Sequence, residues 1–129
     1  MAATFQLDVV SADRVVWSGE ATMVITRTIE GEVGILANHA PLLGVLAPGT
    51  VEIRPAEGST MVAAVDGGFL SVAHNRISVL AERAAMADTI DLSAAQRALE
   101  EAQQGADKSD KAKYAIAVAE AWVAAAERA

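Results

Sequence analysis

The texture of the chain changes near residue 88, and this change limits the fold more than any other feature. Before it, β-branched residues, Gly and Pro recur at short intervals. After it there is no Pro and a single Gly, and alanine rises from 15 of 87 residues to 14 of 42. A chain of 129 residues accommodates one ordinary domain, or a small domain with an appendage. The change therefore predicts a strand-rich body over residues 1–87 and a helical appendage over residues 88–129.

The first part reads as short strands. In Phe5-Gln6-Leu7-Asp8-Val9 apolar and polar residues alternate, the period-2 pattern of a half-buried strand. Residues 15–17 and 23–28 follow, separated by Ser18-Gly19-Glu20. Val51-Glu52-Ile53-Arg54 alternates again before a turn over residues 55–59. Residues 61–65 resume, and Asp66-Gly67-Gly68 breaks them from residues 69–72. Between these and residues 77–80 lies Ala73-His74-Asn75-Arg76, a hairpin signal in which Asn suits positive φ. Many short strands with frequent turns, and no 10–15-residue helical pattern between them, predict an antiparallel sandwich or barrel.

The second part reads as two helices. Asp91 or Ser93 can cap the first, and Ser93 with Gln96 has capping-box spacing. Leu92, Ala95, Leu99 and Ala102 share one face, and Gly105 and Asp107 end the helix. Ser109 can cap the second, whose stripe is Ile116, Ala119, Val123 and Ala126, with Val118 and Trp122 beside it. A connection as short as residues 105–110 makes the helices antiparallel neighbours. That loop and residues 84–88 are the expected linkers. The fold class is thus α+β, mainly β: a sandwich followed by a two-helix hairpin.

Composition excludes several functions. Net charge is −7 and the ten Lys and Arg are scattered, so no basic face exists to neutralise phosphates or anionic lipid; neither nucleic-acid binding nor direct lipid insertion is expected. The absence of cysteine removes disulfides, thiolate metal sites and thiol catalysis. Residues 1–10 alternate in character and are not expected to be a signal peptide. No run approaches the roughly 18 apolar residues of a spanning helix.

No catalytic set emerges. The two histidines, His39 and His74, are too few for a histidine metal site, and no nucleophile-elbow pattern accompanies them. Both are expected to be structural or interface residues. Gly31-Glu32-Val33-Gly34 lacks the Lys-Ser/Thr that closes a phosphate loop, and Gly67-Gly68 lacks dinucleotide spacing. These glycines are expected to serve positive φ at turns or bulges. Trp17 is expected in the core, while Trp122 suits either intramolecular docking or a partner.

At Gly31-Glu32-Val33-Gly34-Ile35-Leu36-Ala37-Asn38-His39-Ala40-Pro41-Leu42-Leu43 the reading sharpens. This run resembles the signature of the epsilon subunits of F-type ATP synthases. Leu7-Asp8-Val9-Val10-Ser11, Asp66-Gly67-Gly68-Phe69-Leu70 and Ile77-Ser78-Val79-Leu80-Ala81-Glu82 are similar, in order, to other strands of that family. Ala87-Asp88-Thr89-Ile90-Asp91-Leu92 resembles its passage into the helices. The resemblance implies a sandwich of about ten strands and a C-terminal helical hairpin. It implies a non-catalytic rotor subunit on the cytoplasmic face of the bacterial plasma membrane, bound to the gamma subunit and resting on the c-ring. By position, Glu32 matches an acidic residue facing the c-ring, and His39, Ala40, Pro41 and Leu42 match the segment against gamma. The hairpin would extend towards the alpha and beta head subunits and restrain ATP hydrolysis.

Two departures stand out. Ala37-Asn38 replaces a frequent Pro-Gly, and Asn tolerates the left-handed region that such a turn needs. Some bacterial relatives bind ATP through a motif resembling Ile/Leu-Asp-x-x-Arg-Ala; here the stretch is Ile90-Asp91-Leu92-Ser93-Ala94-Ala95. Ala94 stands in the arginine's place, so the phosphate-pairing guanidinium is missing. Asp91, with Arg97 three residues beyond Ala94, is the remaining nucleotide candidate, and ATP binding is expected to be weak or absent. No cofactor is expected. Apart from the resemblance, the residues fit equally a non-catalytic sandwich interaction module of another complex.

Overall fold

The computed structural model describes residues 3–105 and 107–129. Nine strands come first: β1 (Phe5–Val10), β2 (Val15–Thr28), β3 (Gly31–Leu36), β4 (Leu42–Leu46), β5 (Gly49–Pro55), β6 (Met61–Val65), β7 (Gly68–Ala73), β8 (Arg76–Leu80) and β9 (Ala84–Met86). A 3₁₀ turn, Ala87–Thr89, leads to α1 (Leu92–Gln104) and α2 (Asp110–Glu127).

The strands fold into a β-sandwich because their alternation gives each one an apolar side to bury. Phe5, Leu7 and Val9 of β1 meet Val51 and Ile53 of β5, Leu70 and Val72 of β7, and Ile77 and Val79 of β8 in one core. The long strand β2 serves both layers. Its first half pairs with β1, its second half lies between β3 and β5, and it touches β4 at Thr28. The change of partner coincides with a register shift between Ala21 and Met23.

Four local expectations are corrected. Residues 18–20 do not separate two strands: Ser18 and Gly19 pair with Asp8 and Leu7 inside β2. A Cβ on Gly19 would lie 3.0 Å from the Trp17 ring, which packs against the core as expected. The run Gly31-Glu32-Val33-Gly34 is strand β3, paired with β2, and of its glycines only Gly31 has positive φ. Residues 84–88 are no linker, because β9 closes the sheet edge against β6. Finally, β1 and β8 pair in parallel, in a sandwich otherwise antiparallel throughout.

Gly67 and Gly68 behave as expected, with φ of +113° and +121°. Gly68 is also sterically compelled: a Cβ there would lie 2.0 Å from the Leu80 carbonyl oxygen.

Both helices are capped by side chains. Asp91 accepts the Ala94 N–H at 3.2 Å and Ser109 accepts the Ala112 N–H at 3.1 Å, so Asp91, not Ser93, starts the first helix. They run for 13 and 18 residues and pack on each other, with α2 lying across β5 and β6. The loop expected over residues 105–110 includes residue 106, which is outside the described residues. On α1, Ala95 is buried and Leu99 and Ala102 half-buried, while Leu92 is exposed. On α2 the most deeply buried residues are Ala121 and Ala125, not the expected stripe, because the helix presents one side to α1 and another to the sandwich. This docking explains β6. Ala63 and Val65 face the sandwich core, while Val62 and Ala64 join Ala87 and Ala125 in a second, smaller cluster against Ile90 and Trp122.

Candidate functional site

The segment leaving β3 is built to stand out from the body. Asn38 takes φ 64°, the left-handed turn that its short polar side chain tolerates. His39, Ala40 and Pro41 then lie exposed, with His39 Nδ1 2.7 Å from the Ala40 carbonyl oxygen. Pro41 restricts Ala40 to extended backbone. Leu42 is half-buried against the core and fixes the far end of the segment. Thus three of the four residues assigned to gamma are presented outward, and the fourth is their anchor.

An apolar face continues from that segment. In the sheet register Val45 lies opposite Phe69, and Phe69 opposite Leu80. Directly opposed side chains on one face sit within about 5.5 Å at Cβ, so the three form a row. Phe69 is 54% exposed, and Leu43, two residues before Val45 on the same face, is 76% exposed. Sequence reading did not find this face. The signal was present in Phe69 and Leu80, apolar at positions whose strand neighbours are already buried.

Glu32 is exposed near the tip joining β2 and β3, in register with Arg27. It sits at the opposite end of β3 from His39, roughly 20 Å away at the usual strand rise. Glu32 and His39 therefore lie at opposite ends of β3, while Leu42, at the start of β4, lines one surface pocket with Glu32. Ile29, beside the same tip, is 68% exposed, and its N–H donates to the Val45 carbonyl at 2.9 Å. The tip and the apolar face are thus continuous. Among the described residues no group of three or more His, Asp or Glu is arranged to hold a metal.

The nucleotide candidates do not converge. A cavity of about 620 Å³ lies under the hairpin, lined by Asp91, Ala94, Ala95, Ala98, Tyr114 and Trp122 among others. Asp91 reaches it but is engaged as the α1 cap. Arg97 is exposed and does not line it. Arg83 is the one cation on its wall, and it lies over the Trp122 ring at 4.8 Å. Ala94, where the resembling motif carries arginine, lines the cavity wall.

Three side chains tie α2 to the sandwich. The Tyr114 hydroxyl donates to the Asp66 carbonyl, and Gly67 leaves room for it, since a Cβ there would lie 2.8 Å from that hydroxyl. Partial burial and the Asp66 charge push the Tyr114 hydroxyl above its ordinary pKa. Trp122 packs on the second cluster beneath Arg83, so it docks within the chain. Arg128 pairs with Glu52 on β5. Its hydrogen bond, followed by that of Arg54, holds the Glu52 carboxyl below its ordinary range against the opposing effect of burial. Neither Tyr114 nor Arg83 is signalled as a contact by the sequence, since their partners are a backbone carbonyl and a ring far along the chain.

Comparison with known proteins matches residues 4–87 to the family described as ATP synthase, Delta/Epsilon chain, beta-sandwich domain. The chain is 54% identical over 107 residues to the ATP synthase epsilon chain of Streptomyces griseus, covering 83% of this chain and 86% of that one. With that of Rhodococcus erythropolis it shares 44% identity over 128 residues, 98% of this chain and 99% of the other. Among solved structures, a chain of the Euglena gracilis mitochondrial ATP synthase, described as OSCP/F1/c-ring in rotational state 1, superposes with a TM-score of 0.81 at 27% identity. That match covers 98% of this chain and 83% of that one. A chain of the Tetrahymena thermophila mitochondrial ATP synthase central stalk and c-ring has the same fold, at a TM-score of 0.66 and 16% identity over 98% of this chain and 96% of that one.

Proposed function

The chain belongs to the family of ATP synthase epsilon chains, and from that premise we propose how its surfaces divide the work of a non-catalytic central-stalk subunit. Residues 1–87 form the body that joins the gamma subunit to the c-ring, so that torque from proton flow reaches the catalytic head without slip. Residues 39–42 and the adjoining row Val45, Phe69 and Leu80 meet gamma. Glu32, at the opposite end of β3 from His39 and beside the Val45 end of that row, meets basic groups in the polar loops of the c-ring. The complex sits on the cytoplasmic face of the bacterial plasma membrane; among the described residues no helix is long and apolar enough to cross it, so the partners hold this chain there.

The observation that most supports this reading is the exposed apolar row beside an outward-presented segment on a stiff body. Large contiguous apolar surface is costly to leave in water and marks a contact with another protein. The test is the pair Glu32→Lys and His39→Ala in the assembled synthase, read by complex assembly and proton-driven ATP synthesis. Loss of coupled synthesis is expected. Unchanged assembly and synthesis would remove this site assignment.

Residues 88–129 are the regulatory part. The hairpin docks through a cluster whose four buried members include three alanines, which bury modest area per residue. Helices of 13 and 18 residues are marginal alone in water. A docked and an extended position then lie within a few kcal/mol of each other, and the extended one reaches the alpha and beta subunits and blocks rotation in the hydrolysis direction. Deleting residues 88–129 should raise ATP hydrolysis by the complex. No rise would leave the hairpin a purely structural element.

A further inference from the structure

The two-residue turn between β7 and β8 has φ of 52° at His74 and 57° at Asn75. Such a turn ordinarily places glycine second, where it costs least. The side chain of Asn75 supplies a reason for its presence there. Its Oδ1 accepts the N–H of Asn38 at 2.8 Å, and its Nδ2 donates to the carbonyl of Thr4 at 2.9 Å. Its own carbonyl accepts the N–H of Gln6 at 3.3 Å. One residue thus joins the start of β1, the end of the β7–β8 hairpin and the turn that leaves β3.

Asn38 is the left-handed residue that redirects the chain into His39, Ala40 and Pro41. Its N–H is the backbone donor at the root of that exposed segment. The two groups facing the Asn75 side chain are one backbone donor and one backbone acceptor. A carboxamide answers both at once; a carboxylate offers acceptors alone, and glycine offers neither.

We propose that Asn75 is a positioning residue for the partner-contact segment: its carboxamide clamps the Asn38 turn to the neighbouring hairpin and so presents residues 39–42 in one geometry. The proposal rests on the reading that this segment meets gamma, and it adds the residue that pre-orders the segment for contact. Ordering a loop before association removes a cost that binding would otherwise meet.

The test uses the full chain with Asn75→Gly, which retains positive φ but loses both side-chain hydrogen bonds, and Asn75→Asp, which retains the acceptor for Asn38. A core variant, Val51→Ala, serves as a control for general destabilisation. Amide exchange at Asn38 is measured in the free chain, and affinity is measured for purified gamma. Asn75→Gly should speed Asn38 exchange and weaken gamma binding, each by about tenfold, which corresponds to the worth of one or two hydrogen bonds. Asn75→Asp should keep most of the Asn38 protection, and Val51→Ala should leave gamma affinity within about twofold of the original.

Unchanged Asn38 exchange in Asn75→Gly would overturn the clamp. Faster exchange with unchanged gamma affinity would overturn its role in binding, provided that His39→Ala still weakens the complex. If His39→Ala and Pro41→Ala also leave gamma affinity intact, the segment is not the gamma contact, and both the reading and the proposal fall.

Discussion

Trp122→Ala should release the hairpin while leaving the sandwich folded. The second cluster contains Val62, Ala64, Ala87 and Ala125, with Ile90 and Trp122 packed against it, so the indole is its largest member. A fully enclosed Trp buries roughly 150–250 Å², worth about 4–6 kcal/mol at about 25 cal/mol per Å². Trp122 is only partly buried, which lowers its share to about 2–3 kcal/mol, and the overlying Arg83 adds about 0.5 kcal/mol at a partly exposed site. A total near 3 kcal/mol shifts the docked-to-released ratio by about a hundredfold. Amide exchange over residues 110–127 reads the release directly, because a freed helix of this length frays. Protection there should fall by about that factor, while the core residues of β1, β5 and β8 keep theirs. Equal loss in helix and strands would show that the two clusters form one cooperative unit. No loss in either would show that the indole does not anchor the hairpin.

Three further outcomes are expected. Arg128→Ala removes one of the two cations beside Glu52, leaving Arg54; because the Arg128 side chain is 45% exposed, solvent screening limits the effect to about 0.5–1 kcal/mol, and α2 should exchange only a few times faster. The Glu52 carboxyl lies below its ordinary range in the folded chain, so its contribution is full above the unfolded carboxylate pKa and is lost as pH falls through the folded value. Docking, followed by exchange rates corrected for intrinsic pH dependence, should be level from about pH 8 to 5 and weaken below about pH 4; a midpoint near neutrality would implicate another group. Gly68→Ala places a Cβ 2.0 Å from the Leu80 carbonyl oxygen at a backbone φ of +121°, so equilibrium denaturation should show a loss of at least about 3 kcal/mol, and near-normal stability would refute the steric argument.

Strands with one buried face were legible because alternation records burial directly: β1 and β5 lie where Phe5 to Val9 and Val51 to Arg54 alternate. The His74-Asn75 turn and the Ser109 cap were legible because each depends on one local side chain. Pairing was not. Nothing local tells β1 to lie parallel to β8, and Ser18-Gly19 mimics a turn because the strand at that point has a polar outer face. Met61-Val62-Ala63-Ala64-Val65 did contain a clue: it is apolar without alternation, as a strand covered on both sides must be. Of the residues proposed to meet gamma, His39, Ala40 and Pro41 came from the family motif. The row Val45, Phe69 and Leu80 comes from three strands and exists only in the register of the sheet.

The parallel pairing of β1 with β8 also sets an order of events during synthesis. Residues 6–10 pair with residues 76–80, so the first strand must wait for nearly the whole body to leave the ribosome before that neighbour exists. At roughly 5–20 residues per second this wait lasts several seconds, during which β1 has only β2 beside it. The helices emerge last and settle on an outer face of strands that already have their partners. The sequence of birth thus runs from the strand that needs the latest partner to the helices that cover only the outer side of β6, and a chain truncated after β9 and released from the ribosome should already contain the paired strands of the sandwich.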